Sequence, residues 1–383
     1  MQCQRDKFQL QRKYAYINCA YMSPMMKKVE NAGKKGMKQK RKPYHISGDD
    51  FFHETETLRL LFAQLIHTPE PNRCVIIPSV SYGMANVVNN LPRKGKIVIV
   101  EGQFPSNVYP WMSLEKEGYT LSIVEAPKTI EKGKEWNERI LNALTKDTVM
   151  LAIGHVHWAD GTLFDLKRFR TRLDEIDGLL VIDGTQSVGA LPFDCAEIRL
   201  DALVCAGYKW LLGPYSIGMA YYGSRFDGGR PIEQNWINRL HSENFAALVN
   251  YQSEYREGAL RYEVGEHSNF ILVPMLHAAL KQLLHWTPGA IQQYCGHLMK
   301  DLIPAAQEMG FGVEHSDYRA HHLFGLKLPK EVNGADAMAI FKQRKVSVSL
   351  RGDAIRLSPH VYNDETDVRK LTSALSHIVG KSR

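Results

Sequence analysis

LLVIDGTQSVGALPFDCAEIRLDALVCAGYKWLLG, residues 179–213, is the stretch whose reading decides the fold. Residues 179–182 form a short apolar run of strand length that ends on Asp183. Residues 202–206 form a second run, which closes on Gly207-Tyr208-Lys209. In an open parallel sheet, ligands bind where the strands exit at their carboxyl ends. Two strands that deliver an acid and a lysine to that edge outline a site with opposite charges. Taken singly, each residue has an ordinary explanation: Asp183 as a helix cap and Lys209 as a solvated turn residue. What decides between the two explanations is what the rest of the chain brings to the same edge.

Working outward, short apolar runs recur at 74–77, 97–100, 121–124, 149–153, 179–182, 203–206 and 217–222, most of them separated by enough chain for a helix. Met84, Val87, Val88 and Leu91, for example, fall at helical spacing. This alternation predicts an α/β fold with a mostly parallel, doubly wound sheet of about seven strands. Upstream, YAYINCAYMS (14–23) predicts an irregular extended segment, with Pro24 in the first turn of a following helix. Asp49-Asp50 are expected to cap a helix over about 51–66, whose Leu58, Leu61, Phe62 and Leu65 share a face. After Ser268 the pattern turns helical, and Thr287-Pro288 marks a break. The remainder predicts strands at 323–328, 346–350 and 355–358, a helix near 335–344 and a last helix after Asn363. The expected organisation is a large domain over 51–286, a smaller α+β domain over 287–383, and an N-terminal segment, 1–50, packing with the smaller one.

Composition bounds the function classes. A chain of 383 residues exceeds the size at which single cores stop growing, so one large and one smaller domain are expected. Its 44% hydrophobic and 23% charged residues are those of a globular protein. No apolar run approaches the roughly 20 residues that cross a bilayer. The opening MQCQRDKFQLQRKY lacks the apolar core of a secretory signal, so a cytoplasmic protein without a membrane partner is expected. The six cysteines are scattered without a CxxC pair and read as reduced thiols, neither a disulfide framework nor a metal site. Much of the net charge of +7 lies in KKVENAGKKGMKQKRK, residues 27–42. With no interleaved aromatics and no binding module, this run reads as the solvated face of a helix rather than a nucleic-acid surface.

Three further stretches fall just after a strand. Ile77-Pro78-Ser79-Val80-Ser81-Tyr82-Gly83 opens a helix, where hydroxyls and backbone N–H groups make an anion site suited to a phosphate. Glu101-Gly102-Gln103-Phe104 places a ring where a flat ligand can stack. His155-Val156-His157-Trp158 brings two histidines to one side of an extended chain, but no cysteine or carboxylate beside them supports a metal. The chain has no GxGxxG after a strand, no GxxxxGK[ST], no GxSxG and no HExxH. What remains is a phosphate site, a stacking ring, an acid and a lysine. Pyridoxal 5′-phosphate needs these four: a lysine to hold it as a Schiff base and a carboxylate to keep its ring nitrogen protonated.

Asp183-x-x-Gln186-Ser187-x-Gly189 followed by Gly207-Tyr208-Lys209 resembles the class V aminotransferase and cysteine desulfurase superfamily of fold-type-I enzymes. The similarity runs over nearly the whole chain, from Ser79–Gly83 through Phe104 and residues 155–162 to Ile355-Arg356-Leu357-Ser358. It implies that Lys209 holds the cofactor and shuttles the α-proton. It implies that Asp183 pairs with the ring nitrogen, Gln186 approaches the phenolic oxygen and Phe104 stacks on the ring. Ser79, Val80, Ser81 and Tyr208 would hold the phosphate, and Arg356 would clamp the substrate carboxylate, where a bidentate fork gives orientation. A homodimer with sites at its interface is also implied. The segment that would reach across is Val264-Gly265-Glu266-His267-Ser268-Asn269, in which Glu266 stands where a threonine is usual.

Departures from the pattern bear on the reaction. Cysteine desulfurases need a nucleophilic cysteine in the loop before the C-terminal arginine, and RKVSVSLRGDAIR (344–356) has none. Phe104-Pro105-Ser106-Asn107-x-Tyr109 is similar to the kynureninase branch, although Gln186 and Asn107 depart from it. Two readings stand, an aminotransferase first and a kynureninase-like lyase or hydrolase second, both acting on a small amino acid. A pyridoxal-binding protein without catalysis is disfavoured by the intact Lys209, Asp183 and Arg356.

Overall fold

The computed structural model describes residues 1–382. Seven strands form the main sheet: β1 (Cys74–Ile77), β2 (Lys96–Val100), β3 (Thr120–Val124), β4 (Thr148–Gly154), β5 (Leu179–Asp183), β6 (Ala202–Ala206) and β7 (Gly218–Tyr222), in the order β1-β7-β6-β5-β4-β2-β3. All neighbours are parallel except β7, which runs antiparallel to both β1 and β6. The expected α/β class and mostly parallel seven-stranded sheet are therefore observed, with strand ends within a residue or so of the apolar runs.

Apart from the edge strand β3, the sheet is buried on both faces, with alternate side chains entering opposite cores. On β5, Leu180 and Ile182 enter one core while Leu179 and Val181 enter the other. On β1, Cys74 and Ile76 divide from Val75 and Ile77 in the same way. Each such fully buried aliphatic side chain contributes about 1.5–3 kcal/mol relative to exposure. Register brings the functional ends together. Gly154 pairs with Asp183 and Asp183 with Val204, while Gly218 pairs with both Ala206 and Ile77. The exits of β1, β5 and β6 thus lie on one edge, with the return of β7 between them.

A second, three-stranded antiparallel sheet is built from β8 (Phe324–Lys327), β9 (Ser349–Arg351) and β10 (Ala354–Leu357), with β10 central. A third core joins it to the last helix, Glu365–Ser382, and takes in Ala15 and Ile17. Ala15 and Tyr16 pair in parallel with Val346 and Ser347. The next helix, Lys27–Gln39, instead packs on Leu272–Trp286, where a Cβ on Gly33 would lie 2.6 Å from the Met275 sulfur. Its lysines 27, 28, 34, 35 and 38 are exposed, as a solvated face requires.

Several local expectations are corrected. The helix expected from about 51 begins at His53 after a 3₁₀ turn, Asp49–Phe51, and no side chain caps it. Asp50 is committed elsewhere, accepting from the backbone N–H of Ser47 at 2.7 Å and its hydroxyl at 3.0 Å. Pro24 precedes its helix rather than entering it, since that helix starts at Lys27. The helix after β1 ends at Val88, so Leu91 packs from the turn beyond it. The single strand expected over 346–350 is two pieces, one pairing with the N-terminal segment and one with β10.

Candidate active site

A cavity of about 230 Å³ opens at the shared strand edge. Its walls include Ser79, Val80 and Ser81 after β1, Phe104 after β2, Trp158 after β4, Asp183, Thr185 and Gln186 after β5, and Tyr208 and Lys209 after β6. Residues more than a hundred positions apart converge because every parallel strand ends on the same side.

The turn after β1 is shaped as the sequence predicts. Ser79 is extended and its Oγ accepts from the Tyr82 N–H at 3.2 Å, capping the helix Val80–Val88. This leaves the hydroxyl proton of Ser79 and the first N–H groups of the helix to face the cavity. Gly83 lets the helix sit down on the sheet: a Cβ there would lie 2.7 Å from a Val204 methyl.

Asp183 caps the short turn Gly184–Gln186, its Oδ1 accepting from the Thr185 N–H at 3.0 Å. Burial raises its carboxyl above the usual range, while Thr185 and Lys209 act in the opposite direction. Thr185 Oγ1 accepts from the Ala206 N–H at 3.1 Å and ties the exit of β5 to that of β6. Gln186 is held on both sides. Its Oε1 accepts from Trp210 Nε1 at 2.8 Å and its Nε2 donates to the Ala20 carbonyl at 3.3 Å, leaving one amide N–H.

Lys209 is buried, with its Nζ 5.2 Å from the centre of the Phe104 ring and 5.5 Å from that of Tyr208. Burial pushes its amine down to about 8; Asp183 opposes the shift, and Arg356 and Arg351 add to it. Lys209 and Asp183 share the cavity without forming an ion pair, which leaves room for a ligand between them. The Phe104 ring meets Trp158 edge-on, with centroids 5.4 Å apart. The N-terminal segment closes the back: the Ser23 N–H and hydroxyl both donate to the Tyr208 carbonyl, at 3.0 and 3.1 Å.

Arg356 stands behind Trp158 rather than in the cavity wall. It is 1% exposed, and its Nη1 donates to the Trp158 carbonyl at 2.8 Å. Its Nε and Nη2 are buried without a partner, and no carboxylate pairs with it among the described residues. Burial pushes this guanidinium down to about 9. A buried cation with two unused donors is unfavourable unless a ligand supplies the anion.

The histidines after β4 have partners within the fold. His157 Nδ1 lies 3.0 Å from Asp160, a carboxylate that the sequence reading did not supply, but Lys132 Nζ occupies the same acid at 2.6 Å. No group of three or more His, Cys, Asp or Glu suited to a metal occurs among the described residues. His155 packs edge-on against Phe193. Thr185, Ser106, Tyr215, Ser216 and Ile217 also line the cavity and were missed. Thr185 was within reach, lying between Asp183 and Gln186. Tyr215 to Ile217 were not, because only the antiparallel return of β7 brings them to the edge.

The residues at the cavity fit pyridoxal 5′-phosphate: a buried lysine with a lowered pKa, an acid without a cationic partner, a ring and a helix start with free donors. The Aminotransferase class-V family matches residues 24–371. A protein of Bacillus subtilis named an uncharacterized aminotransferase, YcbU, is 26% identical over 332 residues, covering 86% of this chain and 84% of its own. A probable cysteine desulfurase of Methanothermobacter thermautotrophicus is 30% identical over 312 residues, covering 75% of this chain and 74% of its own. Among solved structures, a variant of C-DES with glycine linked to its PLP cofactor superposes with a TM-score of 0.86 at 18% identity, covering 98% of this chain and 99% of the other. No helix among the described residues is long and apolar enough to cross a membrane. With the match spanning most of its length, the chain belongs to the class-V aminotransferase family, and its cofactor is pyridoxal 5′-phosphate.

Proposed function

We propose that the protein is an aminotransferase that carries its cofactor on Lys209 and exchanges the amino group of an amino acid with an oxo acid. The observation that carries an amino-acid substrate is Arg356, a buried guanidinium with two unused donors beside the lysine cavity. It offers a fixed fork for the α-carboxylate that every amino-acid substrate presents.

When bound, pyridoxal 5′-phosphate supplies a ring that accepts the electron pair released at the substrate α-carbon. The chain's residues do the rest. The Ser79 hydroxyl, the Val80 and Ser81 N–H groups and Tyr208 bind the phosphate. Asp183 holds a proton on the ring nitrogen, and the free amide N–H of Gln186 turns to the phenolic oxygen. Phe104 covers one ring face, and with Trp158 it excludes water. Lys209 Nζ moves the α-proton, which its lowered pKa favours by making the neutral amine available near neutral pH.

Persulfide chemistry lacks a nucleophile in the loop before the C-terminal arginine. The loop 344–356 has no cysteine, and burial pushes the thiols of Cys19, Cys74, Cys195, Cys205 and Cys295 up. The relative named an aminotransferase, matched over most of both chains, supports transfer over side-chain cleavage. We further infer a cytoplasmic homodimer. A cluster of Phe51, Trp236, Phe245 and Phe270 in edge contact leaves Trp236 40% and Phe245 41% exposed, a surface suited to a second copy.

The test is a panel of amino acids mixed with holoenzyme while the cofactor's spectrum is followed. Transamination predicts conversion to the amine form and recovery on adding an oxo acid. Release of ammonia or a cleaved side chain with the aldehyde form retained overturns it in favour of a kynureninase-like lyase.

A further inference from the structure

We propose that Arg351 is a second anion-binding arginine of this site, and that the preferred substrate is therefore an amino acid whose side chain ends in a carboxylate. The proposal rests on reading Arg356 as the α-carboxylate clamp. It begins with the hairpin RGDAIR, in which Gly352 takes the left-handed conformation at the turn, φ +58°, and returns the chain as β10. Arg351 pairs with Ala354 and Ser349 pairs with Arg356. Directly opposed residues share a face, so the two arginines project from the same side of the sheet. They are diagonal neighbours, with backbones about 7–8 Å apart.

That face looks onto the loop after β4. Gly325, which pairs with Arg356 from the other side, lies so close to the loop that a Cβ would come within 3.3 Å of the Asp160 Cα. Trp158 stands between the arginines and the lysine cavity. Its carbonyl takes Arg356 Nη1 at 2.8 Å, the Arg351 guanidinium lies 5.4 Å from its ring centre, and its side chain lines the cavity.

Charge is what makes the pair unusual. Arg351 Nε is buried without a partner, and its Nη1 donates only to the carbonyl of its neighbour Leu350. The acid in the same hairpin, Asp353, pairs with Lys327 at 3.2 Å. Neither arginine has an ion-pair partner among the described residues. Burial is the main cause that lowers the pKa values of Arg356 and Lys209, and repulsion from Arg351, and for Lys209 from Arg356 as well, adds to it. Asp183 answers Lys209, but neither guanidinium has an acid, so the two arginines need anions from outside. The α-carboxylate answers one arginine, and the phosphate is expected at Ser79 on the far side of the sheet edge. A substrate with a neutral side chain leaves Arg351 unpaired; a side-chain carboxylate pairs it. No bond is made or broken by this contact, so it sets specificity rather than chemistry.

The experiment compares glutarate with valerate, unreactive acids of equal chain length, binding to holoenzyme in a calorimeter. Wild-type protein should bind glutarate roughly 10-fold or more tightly than valerate. Arg351→Gln should abolish that preference while leaving valerate affinity within about twofold, since R351Q removes one pair of charge-assisted bonds. Arg351→Lys should restore only part of it, because an ammonium lacks the planar fork. Equal binding of the two acids by wild type, or a preference that persists in R351Q, overturns the proposal. The wild-type comparison stands even where a variant fails to fold. Failure of this inference is distinguishable from failure of the transaminase reading. A glutarate preference in a protein that converts no amino acid to its oxo acid keeps the second arginine and removes transamination. A working transaminase without that preference does the reverse.

Discussion

The Lys209 Nζ lies 5.2 Å from the centre of the Phe104 ring, although the two residues leave different strands and are separated by two others in the sheet. An aromatic face attracts a cation, so the ring partly offsets the cost of burying the lysine while it is protonated. The same geometry places the ring beside the one amine of the cavity.

Lys209→Ala removes the amine that carries the cofactor. Purified wild-type protein should be coloured by its cofactor and the variant colourless after desalting. A variant that keeps the visible band after desalting rules out Lys209 as the attachment point.

Asp183→Asn preserves shape and most hydrogen bonding but not charge. The variant should still bind the cofactor, and turnover should fall by about 10²-fold or more, as when a preorganised electrostatic partner is removed. Unchanged turnover takes Asp183 out of the mechanism.

The lowered lysine pKa sets a pH dependence. As pH rises, the neutral amine of Lys209 in cofactor-free protein should appear with a midpoint of about 8. An amine-selective reagent read by mass spectrometry should therefore label Lys209 increasingly up to that pH and then level off. An ordinary lysine should still be gaining reactivity toward about 10.4. Between those two values the unfolded chain binds more protons than the folded one, so the Lys209 contribution to stability rises with pH across that window. A labelling midpoint near 10 contradicts the buried environment.

Arg356→Ala should raise KM for every amino-acid substrate by roughly 10–100-fold, the worth of charge-assisted bonds to a carboxylate. Arg356→Lys should recover little of this, because orientation is lost with the fork. Equal KM values for wild type and R356A would place the carboxylate elsewhere.

Glu263→Ala tests the support of β1 rather than the chemistry. Glu263 is fully buried, accepts from both Arg59 Nη1 and the Ile76 N–H, and lies 3.4 Å from His267 Nε2. Removing it leaves the buried Arg59 with only Glu56, at 3.8 Å, and should cost about 3 kcal/mol. The loss should be read as a lower urea midpoint, and a change under about 1 kcal/mol would show that the pair contributes little.

Much of the fold and site was legible along the chain. The apolar runs gave the strands because a sheet buried on both faces needs continuous hydrophobic segments. Asp183 and Lys209 stood out because each follows such a run within a few residues, whereas Gln186 came in only through the family resemblance. The cap expected at Asp49-Asp50 failed for a local reason: Asp50 reaches back to Ser47, an alternative bond open to any short acid near a turn.

What the sequence by itself determined is the strands of the main sheet, the residues at their exits and the family to which they belong. Only the tertiary structure decided which of those residues share a wall and which charges go unanswered. Strand order and the antiparallel return of β7 brought Tyr215 to Ile217 to the cavity, through pairings between segments far apart in the chain. The hairpin register put Arg351 and Arg356 on one face with Trp158 between them and the cavity, and the ion pair of Asp353 with Lys327 left both arginines without an acid. Composition counts charges, but burial and partners decide which of them a ligand must satisfy, and those exist only once the chain has folded.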